Sequence, residues 1–184
     1  LNVQYSTTSN VPRYDQLTEP GGEPRSLKFA EWYYGPQKRF LSSLKYRSLH
    51  RTRLYDKATF IAAFQHIHED RLDRRFGNPN RAFNLEEVRV YSLTADFDKK
   101  LDLGSSAAQH KLAYGLEGNF HTLASTAGVL NIRSGETAYG TESTRYPSGG
   151  SSMTMAGAYA HYQFLSSDQR FSWNAGLRYS LVGL

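Results

Sequence analysis

The chain has 184 residues, a net charge of +5 at neutral pH and no cysteine. The missing thiols exclude disulfides, thiolate nucleophiles and thiolate metal sites within these residues. Basic and acidic side chains are interleaved, as in residues 69–75, so the sequence offers no one-sided basic patch and we expect no nucleic-acid partner. Aromatic residues make up 14% of the chain and include 13 tyrosines, a balance that favours strands over helices.

A membrane-crossing segment of this chain would have to be a strand. No apolar run reaches the roughly 18 residues that a transmembrane helix needs. A membrane-spanning strand needs only about 9–11 residues, of which half are apolar. The chain opens on an alternating stretch, Leu1 to Tyr5, in place of a methionine and a signal peptide, so we expect it to begin inside a larger product.

Alternation of apolar and polar residues predicts strands along most of the chain. The pattern is clearest in residues 151–184, which form two alternating runs joined by a short polar turn. In the second run every other residue from Phe171 to Leu181 is apolar, with polar or small residues between. Successive side chains of a strand point to opposite faces, so one face is apolar and the other polar. The same alternation predicts strands over residues 1–9, 37–48, 86–98 and 110–123.

Two further segments are less regular. Residues 57–72 fit helical and strand spacing about equally well, and periodicity alone leaves both open. Residues 10–36 contain four prolines and are expected to form a long connection. Within it, residues 26–32 are compatible with one or two helical turns that end before Gly35.

The longest predicted connectors lie at one end of the meander, and the shortest lie at the other end. In a meander, alternate connectors lie at the same end of the sheet. Both of the longest, residues 10–36 and 124–150, therefore share one end with the turn around Asn78-Pro79, while the connectors 49–56 and 165–170 lie at the other. The chain is predicted to be all-β, an antiparallel up-and-down meander of about seven long strands.

Two architectures suit such a meander. A soluble β-rich ligand-binding domain would pack its apolar face on a second sheet. A transmembrane barrel would expose that face to lipid, with aromatic residues at both interfaces and long loops outside. The predicted strands, about 11–14 residues long, exceed the usual 5–6. This length, and the small or polar residues Ala113, Gly115 and Ser180 on the other face, favour the barrel.

Residues 33–46 (YYGPQKRFLSSLKY), preceded by 6–19 (STTSNVPRYDQLTE), resemble a stretch of the TonB-dependent outer-membrane receptors. The resemblance is closest to the branch that imports iron chelates, haem or cobalamin. Residues 64–76 and 113–117 resemble the same barrel, and the resemblance extends from Leu1 to about residue 119. It favours a strand for residues 57–72.

The resemblance implies a barrel of about 22 strands in the outer membrane of a Gram-negative bacterium, closed by a plug domain on which TonB pulls. The implied function is capture of a scarce nutrient and its energy-coupled import, without covalent chemistry or a cofactor. The sequence contains no plug, and seven strands cannot close alone, since an open edge in lipid is untenable. We therefore expect residues 1–184 to be part of a larger barrel. A passive porin or surface adhesin is the alternative barrel function.

Candidate ligand contacts concentrate in the two longest loops, since binding groups are often carried on loops of a rigid scaffold. Arginine and tyrosine suit anionic, aromatic chelates through charge-assisted bonds and stacking. The same side chains could instead fold the loops or form an outer aromatic girdle. The candidates are Arg13, Tyr14, Asp15, Trp32, Tyr33, Tyr34, Tyr139, Arg145 and Tyr146.

A second set of polar residues occupies the non-apolar positions of two predicted strands. These side chains would line the lumen of a barrel and contact the plug or the solute path, or form ion pairs within the wall. They are Arg39, Lys45, Arg47, Asn174 and Arg178.

The cluster His66-Ile67-His68-Glu69-Asp70 is the one metal-like motif. On a strand, His66 and His68 would point the same way, about 6.6–6.8 Å apart along the chain. They are weak candidates for a metal site, and a place in the interfacial aromatic band is the favoured interpretation. The sequence contains no GxSxG or HExxH motif, phosphate loop or dinucleotide fingerprint, and we expect no enzymatic activity.

Overall fold

The structure, a computed structural model, describes residues 1–22, 26–103, 107–147 and 149–184. Parts of three predicted connections, residues 23–25, 104–106 and 148, lie outside the described residues. The described residues form ten strands and one short helix, α1 (Tyr14–Leu17). The strands are β1 (Asn2–Thr7), β2 (Val11–Pro12), β3 (Phe29–Tyr34), β4 (Lys38–Ser48), β5 (Lys57–Arg75), β6 (Asn80–Leu101), β7 (Gln109–Asn131), β8 (Thr137–Tyr139), β9 (Ser151–Leu165) and β10 (Ser172–Gly183).

All ten strands belong to one antiparallel sheet. Its main path runs β1-β4-β5-β6-β7-β9-β10, so the seven principal strands follow one another as an up-and-down meander, as predicted. The short strands attach to its side: β3 pairs with β5 and β2, and β8 pairs with β7. Within the described residues β1 and β10 are not paired with each other, and the sheet is open.

Residues 57–72 form a strand. They belong to β5, which pairs with β4 on one side and with β6 on the other. The backbone of β5 hydrogen-bonds to β4 on one side and to β6 on the other. A helix at this place would leave the facing edges of β4 and β6 without partners. The side chains of residues 57–72 therefore alternate between the two faces of the sheet. Pairing with the neighbouring strands decides between helix and strand where the sequence pattern alone does not.

The helical interpretation of residues 26–32 is wrong. Phe29–Tyr34 is strand β3, in register with β5 through pairs such as Tyr33 with Leu72. Its run of aromatic residues fits a strand better than a helix. Among the described residues of this connection a helical turn lies earlier, at α1, where Thr18 donates its backbone N–H to the carbonyl of Tyr14 at 2.9 Å.

Three strands run further than alternation predicts. β5 and β6 continue to a tight turn at residues 76–79, where Gly77 has a φ of +74° and Asn78 Oδ1 accepts the backbone N–H of Asn80 at 2.9 Å. β7 continues to Asn131, so the expected loop 124–150 begins at residue 132. Residues 67–75 of β5, 80–88 of β6 and 123–131 of β7, with β3 and β8 alongside, are named the extension. About nine residues of strand give it a height of roughly 30 Å.

The sheet has two chemically distinct faces, because directly paired residues lie on the same side. On one face a single row across six strands reads Tyr46, Phe60, Ala95, Leu116, Ala158 and Tyr179. This is the aromatic face. The next row, on the opposite side, defines the polar face and reads Arg47, Thr59, Asp96, Gly115, Tyr159 and Arg178.

Aromatic rings on the aromatic face form two bands. The first row lies towards the extension and joins Phe40, Phe64, Tyr91 and Phe120 through centroid distances of 6.3, 5.1 and 6.4 Å. The second row joins Tyr46, Phe60, Phe97 and Tyr114 through 6.3, 5.6 and 5.0 Å. Aliphatic residues lie between the rows, and Leu44, Leu93 and Leu116 are 58%, 65% and 60% exposed.

The sheet is a single layer with little core. Of the described hydrophobic residues, Phe29, Ala58, Phe83 and Ala127 are buried, and three of these four lie in the extension. Within the described part of the chain, no protein layer covers the large exposed side chains of the two rows and of the aliphatic belt between them. None of the described helical segments is long and apolar enough to cross a membrane.

Candidate functional site

The extension is the platform that carries the predicted ligand residues of the first connection. β3 lies on β5, and the segment containing β2 and α1 returns along β3, where Arg13 donates its backbone N–H to the carbonyl of Trp32 at 2.9 Å. Glycine at position 35 lets this segment pass close to the backbone, because a Cβ there would lie 3.0 Å from the carbonyl oxygen of Ser9. The φ of Gly35 is +100°, which also favours glycine. The fold therefore brings residues 13–15 against 32–34.

Arg13 is the centre of this cluster. Its guanidinium carbon lies 4.6 Å from the centroid of the Trp32 ring, and its Nη1 lies 3.4 Å from the hydroxyl oxygen of Tyr34. Its Nε and Nη2 both donate to the carboxylate of Asp15. This bidentate pair lowers the pKa of Asp15 to about 2. Arg71 of β5 completes the cluster at 5.0 Å from the centroid of Tyr34.

These contacts assign different roles to the predicted residues. The guanidinium of Arg13 donates hydrogen bonds to Asp15 and Tyr34. It therefore holds the β2–α1 segment on β3 and is not free to bind an anionic ligand. Tyr14, by contrast, is 71% exposed on α1. Arg71 was not among the predicted residues, because its place beside Tyr34 follows from the pairing of β3 with β5.

Tyr33 lies on the other face of β3, with Glu31. Glu31 accepts from Arg81 at 2.5 and 2.9 Å and from Arg74 at 3.2 Å, and its side chain is 19% exposed. The hydrogen bonds from Arg81, and then the one from Arg74, lower the pKa of Glu31. This triad joins β3, β5 and β6 and is a structural clamp of the extension.

The second group of predicted ligand residues lies apart from the first. Tyr139 packs edge-on against Phe83 at 5.8 Å over Gly128, where a Cβ would lie 2.7 Å from Phe83 Cζ. Arg145 and Tyr146 are exposed in the segment that follows β8. Among the described residues, no hydrogen bond or ring contact joins this group to the Arg13 cluster.

Two buried polar groups on the polar face of the extension were not predicted. Glu86 and Ser125 are 7% and 8% exposed and directly paired on β6 and β7. Oε1 of Glu86 and Oγ of Ser125 have no hydrogen-bond partner among the described residues. Burial raises the pKa of Glu86, and the neighbouring carboxylate of Glu69 acts in the same direction. The segment after β8 approaches here, with Asn84 Nδ2 donating to the carbonyl of Ser143 at 3.2 Å.

All five residues predicted to share a lumen face lie on the polar face. Arg39 donates to Oε1 of Gln65 on β5 at 2.7 and 3.2 Å. Arg178 of β10 reaches across β9 and pairs with Glu117 of β7. Lys45 and Arg47 of β4 and Asn174 of β10 are exposed on the same side.

The two histidines of the metal-like motif do converge. The rings of His66 and His68 are 4.3 Å apart between centroids, and Nε2 of His66 lies 2.8 Å from Oε1 of Glu87 on β6. The cluster lies on the aromatic face just beyond the first row, since His66 stacks on Phe64 at 6.4 Å. Glu87 could not be found from the sequence because the register of β5 against β6 brings it there.

Comparison with protein-family models found no match to this chain. Comparison with curated protein sequences found no match either.

Proposed function

We propose that residues 1–184 form part of the wall of an outer-membrane β-barrel, with the aromatic face against lipid and the polar face towards the lumen. The observation that carries this is the pair of aromatic rows with an exposed aliphatic belt between them. Tyrosine and phenylalanine at two levels, with aliphatic residues between, is the arrangement by which a barrel meets the two interfaces of a bilayer.

The length of the belt supports this proposal. On the aromatic face of β6 the apolar stretch is bounded by Arg89 and Lys99, which leaves residues 90–98 between them. Those nine residues match the roughly 9–11 of a tilted membrane-spanning strand. Lys99 pairs with Asp56 at 3.1 Å and Arg89 with Glu87 at 2.5 Å, so both boundaries are ionic.

The polar face supports the same orientation. It carries cross-strand pairs at the level of the belt: Ser92 donates to Asn119 at 2.7 Å, Tyr159 donates to Asp96 at 2.8 Å, and Arg178 pairs with Glu117. Charged and hydrogen-bonding groups are costly in hydrocarbon, and they suit a lumen that contains water or a plug.

We propose further that the barrel is of the TonB-dependent receptor type. On this proposal the outer loops capture a scarce nutrient such as an iron chelate, haem or cobalamin, and TonB drives import without covalent chemistry. The support is the resemblance of residues 6–19 and 33–46, together with the clustering of Arg13, Trp32 and Tyr34 at the long-loop end. A passive porin or adhesin would share the wall but not the energy coupling.

One pair of substitutions tests the orientation in the complete gene product. Leu177 is 84% exposed midway along the aromatic face of β10, so a sheet in water would tolerate Leu177→Arg. Against lipid, arginine near the midplane costs about 2–4 kcal/mol. We expect Leu177→Arg to reduce the heat-modifiable, membrane-inserted form, and Asn174→Arg on the polar face to leave it unchanged. Equal tolerance of both contradicts the proposal.

The import function has its own test. A strain lacking the gene is grown on a panel of iron and cobalamin sources, and the source that no longer supports growth identifies the ligand. Deletion of TonB should abolish the same growth, because energy coupling passes through it. Uptake that survives without TonB contradicts energy-coupled import and leaves the porin or adhesin alternative.

A further inference from the structure

We infer that His66, His68 and Glu87 form a binding site for a divalent transition ion of the Zn²⁺ class, which ties β5 to β6 just beyond the first aromatic row. The donor atoms of the three side chains lie within 4.8 Å of one another. They come from two adjacent strands, since Glu87 is the direct partner of His68 and a diagonal neighbour of His66.

The geometry is close to a coordination shell. Tetrahedral Zn²⁺ holds nitrogen and oxygen ligands at about 2.0–2.1 Å, which places donor atoms roughly 3.3 Å apart. Nε2 of His66 and Oε1 of Glu87 are already 2.8 Å apart, and the two imidazole rings meet at 4.3 Å between centroids. The donor atoms lie within 4.8 Å of one another, so reaching a spacing of roughly 3.3 Å requires them to approach by at most about 1.5 Å through side-chain rotation.

The donor set also selects the ion. Two imidazoles and one carboxylate suit Zn²⁺, Cu²⁺ or Ni²⁺, whereas Ca²⁺ and Mg²⁺ prefer oxygen ligands alone. The side chains of His66 and Glu87 are 30% and 28% exposed, so water can reach the site. A fourth coordination position therefore remains for water or an external anionic group.

Neighbouring contacts both support and oppose the site. His66 is held from one side by stacking on Phe64 at 6.4 Å, which fixes its ring near the cluster. Arg89 pairs with the same oxygen of Glu87 at 2.5 Å and competes with a cation there. Removing Arg89 should therefore strengthen metal binding, a result that a purely structural role of the histidines does not predict.

The test uses the complete gene product in detergent, stripped of metal and titrated calorimetrically with Zn²⁺, with Co²⁺ absorption as a report of ligand geometry. We expect binding that weakens roughly tenfold or more in His66→Gln, His68→Gln and Glu87→Gln. Arg89→Gln should bind more tightly, and His50→Ala, a histidine in an exposed loop, should not change.

Heat-modifiable migration confirms that each variant is folded. Absence of Zn²⁺ binding in the unaltered protein overturns the inference, as does binding that all three ligand substitutions leave intact. Because the readout is metal affinity alone, these results do not depend on whether the barrel imports a nutrient.

Discussion

Tyr159 lies over Gly115 on the neighbouring strand and donates its hydroxyl to Asp96, one strand further, at 2.8 Å. A Cβ on Gly115 would lie 2.6 Å from Cε1 of Tyr159 and 2.7 Å from the carbonyl oxygen of Ala95. The glycine therefore makes room for the tyrosine ring to cross the polar face. This contact ties β9 to β7 and β6 without a second layer of protein.

Gly115→Ala should destabilise the sheet by about 1–3 kcal/mol, because the added methyl group forces the ring or the backbone to move. Tyr159→Phe keeps the ring and should cost about 0.5–1.5 kcal/mol through the lost hydrogen bond. Urea unfolding of the purified, folded protein measures both changes in stability. Gly118→Ala is the matched control, since nothing lies within 4 Å of a Cβ at Gly118. Equal effects at both glycines would contradict this account.

The ion pair of Glu117 with Arg178 makes a second cross-strand tie on the polar face. Arg178 passes over Gly157, where a Cβ would lie 3.0 Å from Nη2 of the arginine and 3.2 Å from Cγ of Glu117. Removing either charged partner should destabilise the sheet, and removing both should cost less than the sum of the single changes. A double-mutant cycle with Glu117→Gln and Arg178→Met measures this coupling. Strict additivity would show that the pair contributes nothing.

The clamp at Glu31 predicts a pH dependence of the extension. Its pKa lies below its ordinary value because Arg81 and Arg74 bind the carboxylate. The stabilisation is therefore fully present above the ordinary pKa of glutamate and is lost as the pH falls through the lowered value. Hydrogen-exchange protection of β3, corrected for intrinsic exchange, should decrease in acid.

Glu31→Gln should remove that pH dependence and cost about 1–3 kcal/mol at neutral pH. Glu136→Gln, in the exposed turn before β8, is the control. Protection of β3 that stays constant on acidification would contradict the clamp.

If the proposed function holds, the contacts in the first connection distinguish candidate ligand residues from residues that fold the loop. Tyr14 is 71% exposed, so Tyr14→Ala should weaken nutrient binding roughly two- to tenfold without altering the fold. Asp15→Asn should loosen the β2–α1 segment, because it removes the charge that holds Arg13. Equilibrium binding and hydrogen exchange distinguish the two effects. Tight binding in Tyr14→Ala would exclude the tyrosine from the site.

Alternation predicted six of the seven principal strands, because the two faces of the sheet differ in polarity, but for residues 57–72 it left helix and strand open. It also placed Arg39, Asn174 and Arg178 on one face. The extension was not predicted in full, because beyond the first aromatic row its strands carry polar residues on both faces, as at residues 66–75. Strand β3 was mistaken for a helix, since its pairing partner β5 lies some 40 residues away in the chain.

The side-chain clusters of the candidate sites depend on the register between neighbouring strands. Two of the contacts join residues of different strands: Arg71 with Tyr34, and Glu87 with His66. The spacing of residues within one strand does not predict such contacts. The buried pair of Glu86 and Ser125 is of the same kind. Sequence alone could name Arg13, Trp32 and His68 by residue type, but the pairing of the strands decides which of these side chains meet.

Site-directed spin labelling along β6 tests the central claim, the orientation of the two faces, most directly. The 184 residues contain no cysteine, so a single cysteine introduced at one of residues 90–98 has no competing thiol within this segment. The complete product, with any cysteine outside the segment replaced, is labelled and reconstituted in lipid. The account predicts that labels at Tyr91, Leu93, Ala95 and Phe97 are accessible to oxygen dissolved in the bilayer, and that labels at the intervening positions are not. Labels at the odd positions that respond instead to a water-soluble relaxation agent would contradict it.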